Sequence, residues 1–147
     1  MKIIKMPKLG NELEVLSYES NEKIYANYFG GVQAGFPSPA EDFAHKKLSL
    51  DEKYISNPNN TFIIKVRGNS MHPTLQIGDI LIVKSDLDLK DGNIAIVSIN
   101  NNDYTVKRYS KKKKTFIADN PEYPNIEIQD EDTILCLGVV KHVIRDL

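Results

Sequence analysis

Two side chains in this sequence can form a peptide-cutting pair. Ser70 lies in Val66-Arg-Gly-Asn-Ser-Met-His-Pro-Thr-Leu75, and Lys107 follows 37 residues later in Tyr104-Thr-Val-Lys-Arg-Tyr109. A serine hydroxyl attacks a carbonyl only when a neighbouring base takes its proton. A lysine amine can be that base if burial keeps it neutral. Serine–lysine pairs of this kind are a variant of the Ser-His-Asp arrangement. Gly68-Asn69 favours tight or left-handed backbone just before Ser70, which sets the hydroxyl at an element boundary. It also aims nearby backbone N–H groups at one point, as an oxyanion hole requires. Taken alone, such a serine is an N-cap and such a lysine is a solvated strand residue. Periodicity does not decide between these readings.

The elements that must position the pair are mostly strands. Alternating or apolar runs at Thr61–Val66, Asp79–Lys84, Ile94–Ile99, Asp103–Tyr109, Thr115–Ala118 and Ile134–Ile144 are separated by turn signals at Gly68-Asn69, Gly78-Asp79, Asp91-Gly92 and Asn100-Asn101-Asn102. The spacing predicts a mainly β domain, a compact curled antiparallel sheet or partial barrel. Within Tyr104–Tyr109, alternation puts Val106 on one face and Thr105, Lys107 and Tyr109 on the other. Upstream, Ser38-Pro39-Ala40-Glu41 has the form of a capping box, with proline at the first helical position. It predicts one short helix through Leu48, with an apolar stripe at Ala40, Phe43, Ala44 and Leu48. Residues 1–33 have weak periodicity and read as a loosely attached, extended N-terminal arm with one short strand near Ile3-Ile4. Pro37 pushes Phe36 into extended geometry, so Ala34-Gly35 falls in extended chain just before that helix.

Composition narrows the classes. The chain has 147 residues, 19 basic and 20 acidic, for a net charge of −1. No overall field draws it to nucleic acid or a membrane surface. The single cysteine, Cys136, allows no internal disulfide and reads as a buried core thiol in a strand. His45, His72 and His142 are too scattered for a zinc site, and no cofactor is expected. No apolar run spans a bilayer, and the basic start lacks the apolar core of a secretory signal. The expected compartment is the cytoplasm.

Gly68-Asn69-Ser70-Met71, Gly78-Asp79-Ile80-Leu81-Ile82-Val83 and Thr105-Val106-Lys107-Arg108 together resemble the LexA/UmuD group of self-cleaving serine–lysine peptidases. The resemblance covers residues 34–147 and extends through Asn57-Pro58, Thr61–Val66 and Gly138–Ile144. Ala34-Gly35-Phe36-Pro37-Ser38-Pro39-Ala40 is particularly similar to the cleavage region of the UmuD branch, and no helix-turn-helix head precedes it. One departure is Asn69, where the group usually carries aspartate. The resemblance implies that Ser70 and Lys107 are the catalytic dyad and that Ala34-Gly35 is the bond cut. It further implies that the backbone N–H groups of Ser70 and Asn69 hold the oxyanion. Residues 1–34 would then be a cleavable arm and residues 35–147 the peptidase domain. Implied partners are a second copy of the chain, a translesion DNA polymerase of the UmuC type and, as activator, a RecA-type filament on single-stranded DNA. The implied role is in SOS mutagenesis.

Competing readings are a soluble enzyme like the signal peptidases, which share Ser-Met-x-Pro and the dyad, and a non-catalytic interaction module with the same β fold. A repressor's C-terminal half is a further alternative. Lys111-Lys112-Lys113-Lys114 reads as a solvated hairpin tip, with a phosphate-facing patch as the functional alternative. Asp79 and Asp91 read as turn formers. Tyr104 and Tyr109 flank the lysine strand, either desolvating Lys107 or packing across strands.

Overall fold

The computed structural model describes residues 9–16, 26–27 and 47–147. The chain divides into two compact units, residues 1–17 with 59–147, and residues 18–58. In the first, eight strands form one antiparallel sheet. They are β1 (Leu13–Val15), β4 (Thr61–Val66), β5 (Ile80–Lys84), β6 (Ile94–Ile99), β7 (Thr105–Ser110), β8 (Thr115–Ile117), β9 (Ile126–Glu127) and β10 (Ile134–Ile144). Their order is β1-β4-β5-β10-β6-β7-β8-β9. The curled antiparallel sheet expected from the strand spacing is the observed fold.

The curl has a local cause. β10 pairs with β6 through its first half and with β5 through its second, and its register slips at Cys136/Gly138 and again at Val140/His142. Bulges of this kind bend a strand and increase its twist. Gly138 sits at the tightest point, where an added Cβ would lie 2.6 Å from the Lys84 carbonyl oxygen. Sheet curvature buries both faces of β6. Ile96 joins Ile64, Val66, Leu81, Val83 and Val106 in one cluster, whereas Ala95, Val97 and Ile99 pack with Phe116 in another. Two-sided burial explains why β6 is apolar on both faces, with Ser98 its one polar residue.

The second unit, in its described part, holds β2 (Ala26–Asn27) paired with β3 (Lys47–Leu48), then the one-turn helix α1 (Leu50–Tyr54). The helix expected through Leu48 falls largely outside the described residues. Its last two positions, Lys47 and Leu48, are strand instead. Ile3-Ile4 also lies outside them.

Two sequence readings are corrected by the fold. Residues 9–16 of the arm are not loose. Leu9 bridges Tyr104, Leu13–Val15 pairs with β4, and Leu13 is buried in the first cluster. Cys136 is in a strand, but its residue is exposed, at a register shift of β10. The lysine run is exposed at the β7–β8 hairpin, with Lys114 at φ 46°. Asp91 does lie in a turn, and its carboxylate also accepts from the Lys111 N–H, 20 residues away, at 2.8 Å. Asp79 closes a turn, accepting from the Gln76 N–H, but it is also buried and held by Arg145 Nε at 2.7 Å.

Candidate active site

Residues 70–74 form successive turns, and Met71 and Leu75 behind Ser70 are each only 1% exposed. These two side chains root the turn in the core, so the Ser70 hydroxyl has little freedom to move. A fixed nucleophile needs less reorganisation before attack. β7 carries Lys107 on the face expected from alternation, while Val106 enters the first core cluster. Lys107 Nζ lies 3.2 Å from Ser70 Oγ. Ser70 is 2% exposed and Lys107 6%. Residues 37 positions apart in sequence are thus brought into hydrogen-bond contact inside the protein.

Burial pushes the Lys107 amine below its ordinary value, and the Glu12 carboxylate pulls it back upward. Glu12 is the part of the site that the sequence did not indicate. It stands in the turn just before β1, with Oε2 3.8 Å from Lys107 Nζ. Its Oε1 accepts from the Ser70 hydroxyl and, at 3.3 Å, from the Ser70 N–H. Thr105 Oγ1 donates to Oε2 at 2.6 Å. Ser70, Lys107 and Glu12 line a cleft of about 460 Å³ together with Asn11, Arg67, Gly68, Asn69 and Tyr123. A larger groove of about 710 Å³ runs along β8 and β9, lined by Lys113, Thr115, Ile117, Asn125 and Glu127, and includes neither Ser70 nor Lys107.

The turn carrying Ser70 is also held from behind. Asn120 Nδ2 donates to the Asn69 carbonyl at 2.9 Å, and the Asn120 N–H donates to the Ser70 carbonyl at 3.0 Å. In a trans peptide, C=O and N–H point in opposite directions. Gripping the Asn69 carbonyl therefore aims the Ser70 N–H into the cleft, where it meets Glu12. Asp119 links the Ser70 turn to the Lys107 strand. It accepts from Arg108 Nε at 2.9 Å and from Thr74 Oγ1 at 2.6 Å, tying β7 to the serine turn.

The structure brings Ser70, Asn69 and Lys107 together. Ala34-Gly35 lies outside the described residues. Tyr109 stacks on Phe116 at 5.4 Å, so it packs across strands rather than facing the lysine amine. Asp119-Asn120-Pro121 carried a turn signal that marks where the supporting loop begins. No comparable signal marked Glu12.

The chain is similar to known proteins over most of its length. The family described as Peptidase S24-like matches residues 27–141. The Protein ImpA of Salmonella typhimurium is 36% identical over 114 residues, covering 77% of this chain and 78% of ImpA. The Protein MucA of Escherichia coli is 32% identical over 118 residues, 78% of this chain and 80% of MucA. A LexA repressor of Acidithiobacillus ferrooxidans is 33% identical over 132 residues, 86% of this chain but 63% of the repressor.

Proposed function

Because the chain belongs to the S24-like peptidase family, we propose that it is a UmuD-like autoprotease of SOS mutagenesis that cuts its own Ala34–Gly35 bond with Ser70 and Lys107. The observation that carries this reading is the 3.2 Å contact between two buried groups, an amine and a hydroxyl. Neutral Lys107 takes the Ser70 proton as Ser70 Oγ attacks the Ala34 carbonyl. The N–H groups of Ser70 and Asn69 receive the oxyanion. Lys107, now protonated, gives its proton to the leaving Gly35 amine, and water then releases the acyl-enzyme. Tethering the substrate supplies a high effective concentration, so a two-residue machine suffices for a single cut.

The remaining roles rest on the family resemblance. The product, residues 35–147, acts in the cytoplasm as a homodimeric accessory subunit of a UmuC-type translesion polymerase. A RecA-type filament on single-stranded DNA triggers the cut.

Mass spectrometry of the purified chain after incubation at alkaline pH tests the core of the proposal. Fragments of 34 and 113 residues are expected, and Ser70→Ala should yield neither. Loss of activity should exceed a thousandfold, as for other serine peptidases stripped of the nucleophile. Cleavage that survives in purified Ser70→Ala protein would rule out Ser70 as nucleophile.

A further inference from the structure

The donors and acceptors around Lys107 can be assigned one by one. A carboxylate only accepts, so the single Ser70 hydroxyl proton and the single Thr105 hydroxyl proton both go to Glu12. Lys107 Nζ then meets three groups that must accept from it. These are Ser70 Oγ at 3.2 Å, Thr105 Oγ1 at 2.9 Å and the Val106 carbonyl at 3.1 Å. Three donations use all three protons of an ammonium group and leave no lone pair. In this arrangement the serine proton points away from the lysine, and the lysine has no capacity to accept it. The polarity is the reverse of what attack requires.

Glu12 also stands in the substrate's place. Its Oε1 takes the Ser70 N–H, the donor assigned to the oxyanion. The strand that follows it, β1, adds antiparallel to the edge of β4, as an extended peptide would. Gly68 makes room for it, since a Cβ there would lie 2.3 Å from Glu12 Cγ. The segment is anchored independently of the carboxylate, because the Glu12 carbonyl accepts from the N–H groups of Arg67 at 2.6 Å and Gly68 at 3.1 Å.

We infer that Glu12 is a built-in inhibitor. Its carboxylate fills the oxyanion position, draws the serine proton away and keeps the dyad locked until residues 9–16 withdraw. This deepens the proposed function and rests on its Ser70–Lys107 dyad. Activation then requires an exchange of one extended segment for another at the same cleft. Any agent that detaches β1 from β4 would start the reaction.

The test is the reactivity of Ser70 towards a fluorophosphonate, which phosphonylates an activated serine with loss of fluoride and needs no peptide substrate. Full-length Gly35→Glu protein, unable to present its own bond, serves as the background. Glu12→Ala and Glu12→Gln are added to it, and labelling at Ser70 is followed by mass spectrometry near neutral pH. Glu12→Ala should label at least ten times faster than the background. Glu12→Gln, nearly the same shape without the charge, should fall between them. Retained backbone anchoring means both should fold, as checked by circular dichroism. Equal labelling rates in all three would overturn the inhibitor and leave the dyad standing. No labelling in any of them, even at alkaline pH, would sink the dyad and the inhibitor with it.

Discussion

Asn120 holds Asn69 from behind, its Nδ2 donating to the Asn69 carbonyl at 2.9 Å while the Ser70 N–H on the same peptide faces the cleft. The aim of that N–H depends on a side chain that touches no reacting atom. Asn120 is 7% exposed, so its amide cannot be replaced cheaply by water. Asn120→Ala should cost about 1–2 kcal/mol of stability through its lost buried hydrogen bonds. Self-cleavage should slow by about 10²-fold as the oxyanion donor loses its orientation. Lys107 is untouched, so the pH midpoint of the reaction should stay where it is in the native chain. Initial rates across pH separate the two effects. A native rate in folded Asn120→Ala protein would remove Asn120 from the positioning role.

Cleavage should accelerate from neutral to alkaline pH and level off below 10.5, the ordinary lysine value, because burial holds Lys107 beneath it. Only the neutral amine accepts the serine proton. Removing the upward pull of Glu12 should move the midpoint to lower pH, so Glu12→Gln cleaves best at a less alkaline pH than the native chain. Lys107→Arg should be inactive throughout, since guanidinium stays protonated. Linkage gives a second readout. The unfolded chain binds a proton at Lys107 more tightly than the folded one, so this group's penalty is present at neutral pH and fades as pH rises towards 10.5. A rate that is flat or falling over the same interval, in folded protein, excludes a lysine base.

Strand identity was legible where packing is two-sided or strictly alternating. Thr61–Val66, Ile94–Ile99 and Ile134–Ile144 appear with the bounds expected from their residues. Ser70 and Lys107 were singled out by the family resemblance, since the local pattern left the serine open as an N-cap and the lysine as a solvated strand residue. The fold places them 3.2 Å apart. Glu12 left no local signal. Leu13-Glu14-Val15 is too short to announce a strand, and its position is fixed by pairing to a segment some fifty residues away. Asp79 was legible only as a turn former, since its partner Arg145 lies 66 residues downstream. Long-range pairing decides such positions, and a local reading of sequence does not reach it.

Gly138 offers a test of how the bulge in β10 holds the sheet. Its difficulty is space rather than backbone conformation, with the Lys84 carbonyl oxygen 2.6 Å and Val83 Cγ1 2.9 Å from an added Cβ. Gly138→Ala should therefore destabilise by about 1–3 kcal/mol, lowering the melting temperature by roughly 3–10 °C. Gly78→Asn should be milder. Nothing lies within 4 Å of a Cβ there, and only its φ of 96° opposes substitution. Thermal melts followed by circular dichroism compare the two. A Gly138→Ala melt at the native temperature would mean that the β5–β10 contact relaxes freely.

The choice of bond and the choice of subunit can be tested together. If Ala34–Gly35 is the bond cut, the lack of a side chain at Gly35 would let the backbone approach Ser70 closely. Gly35→Glu should block cutting of its own arm by placing a bulky, charged group at that approach, while leaving Ser70 and Lys107 intact. Ser70→Ala keeps a cuttable arm but has no nucleophile. Each protein alone should stay whole. Mixed under conditions where subunits exchange, they report whether one chain can serve another. A 113-residue fragment arising from the Ser70→Ala chain would show action between subunits. Its absence, with mixed dimers demonstrated by native mass spectrometry, would confine cutting to each chain's own arm. Should Gly35→Glu alone release that fragment, the bond has been assigned wrongly, and Gly30-Gly31, the nearest pair of small residues upstream, becomes the next position to block.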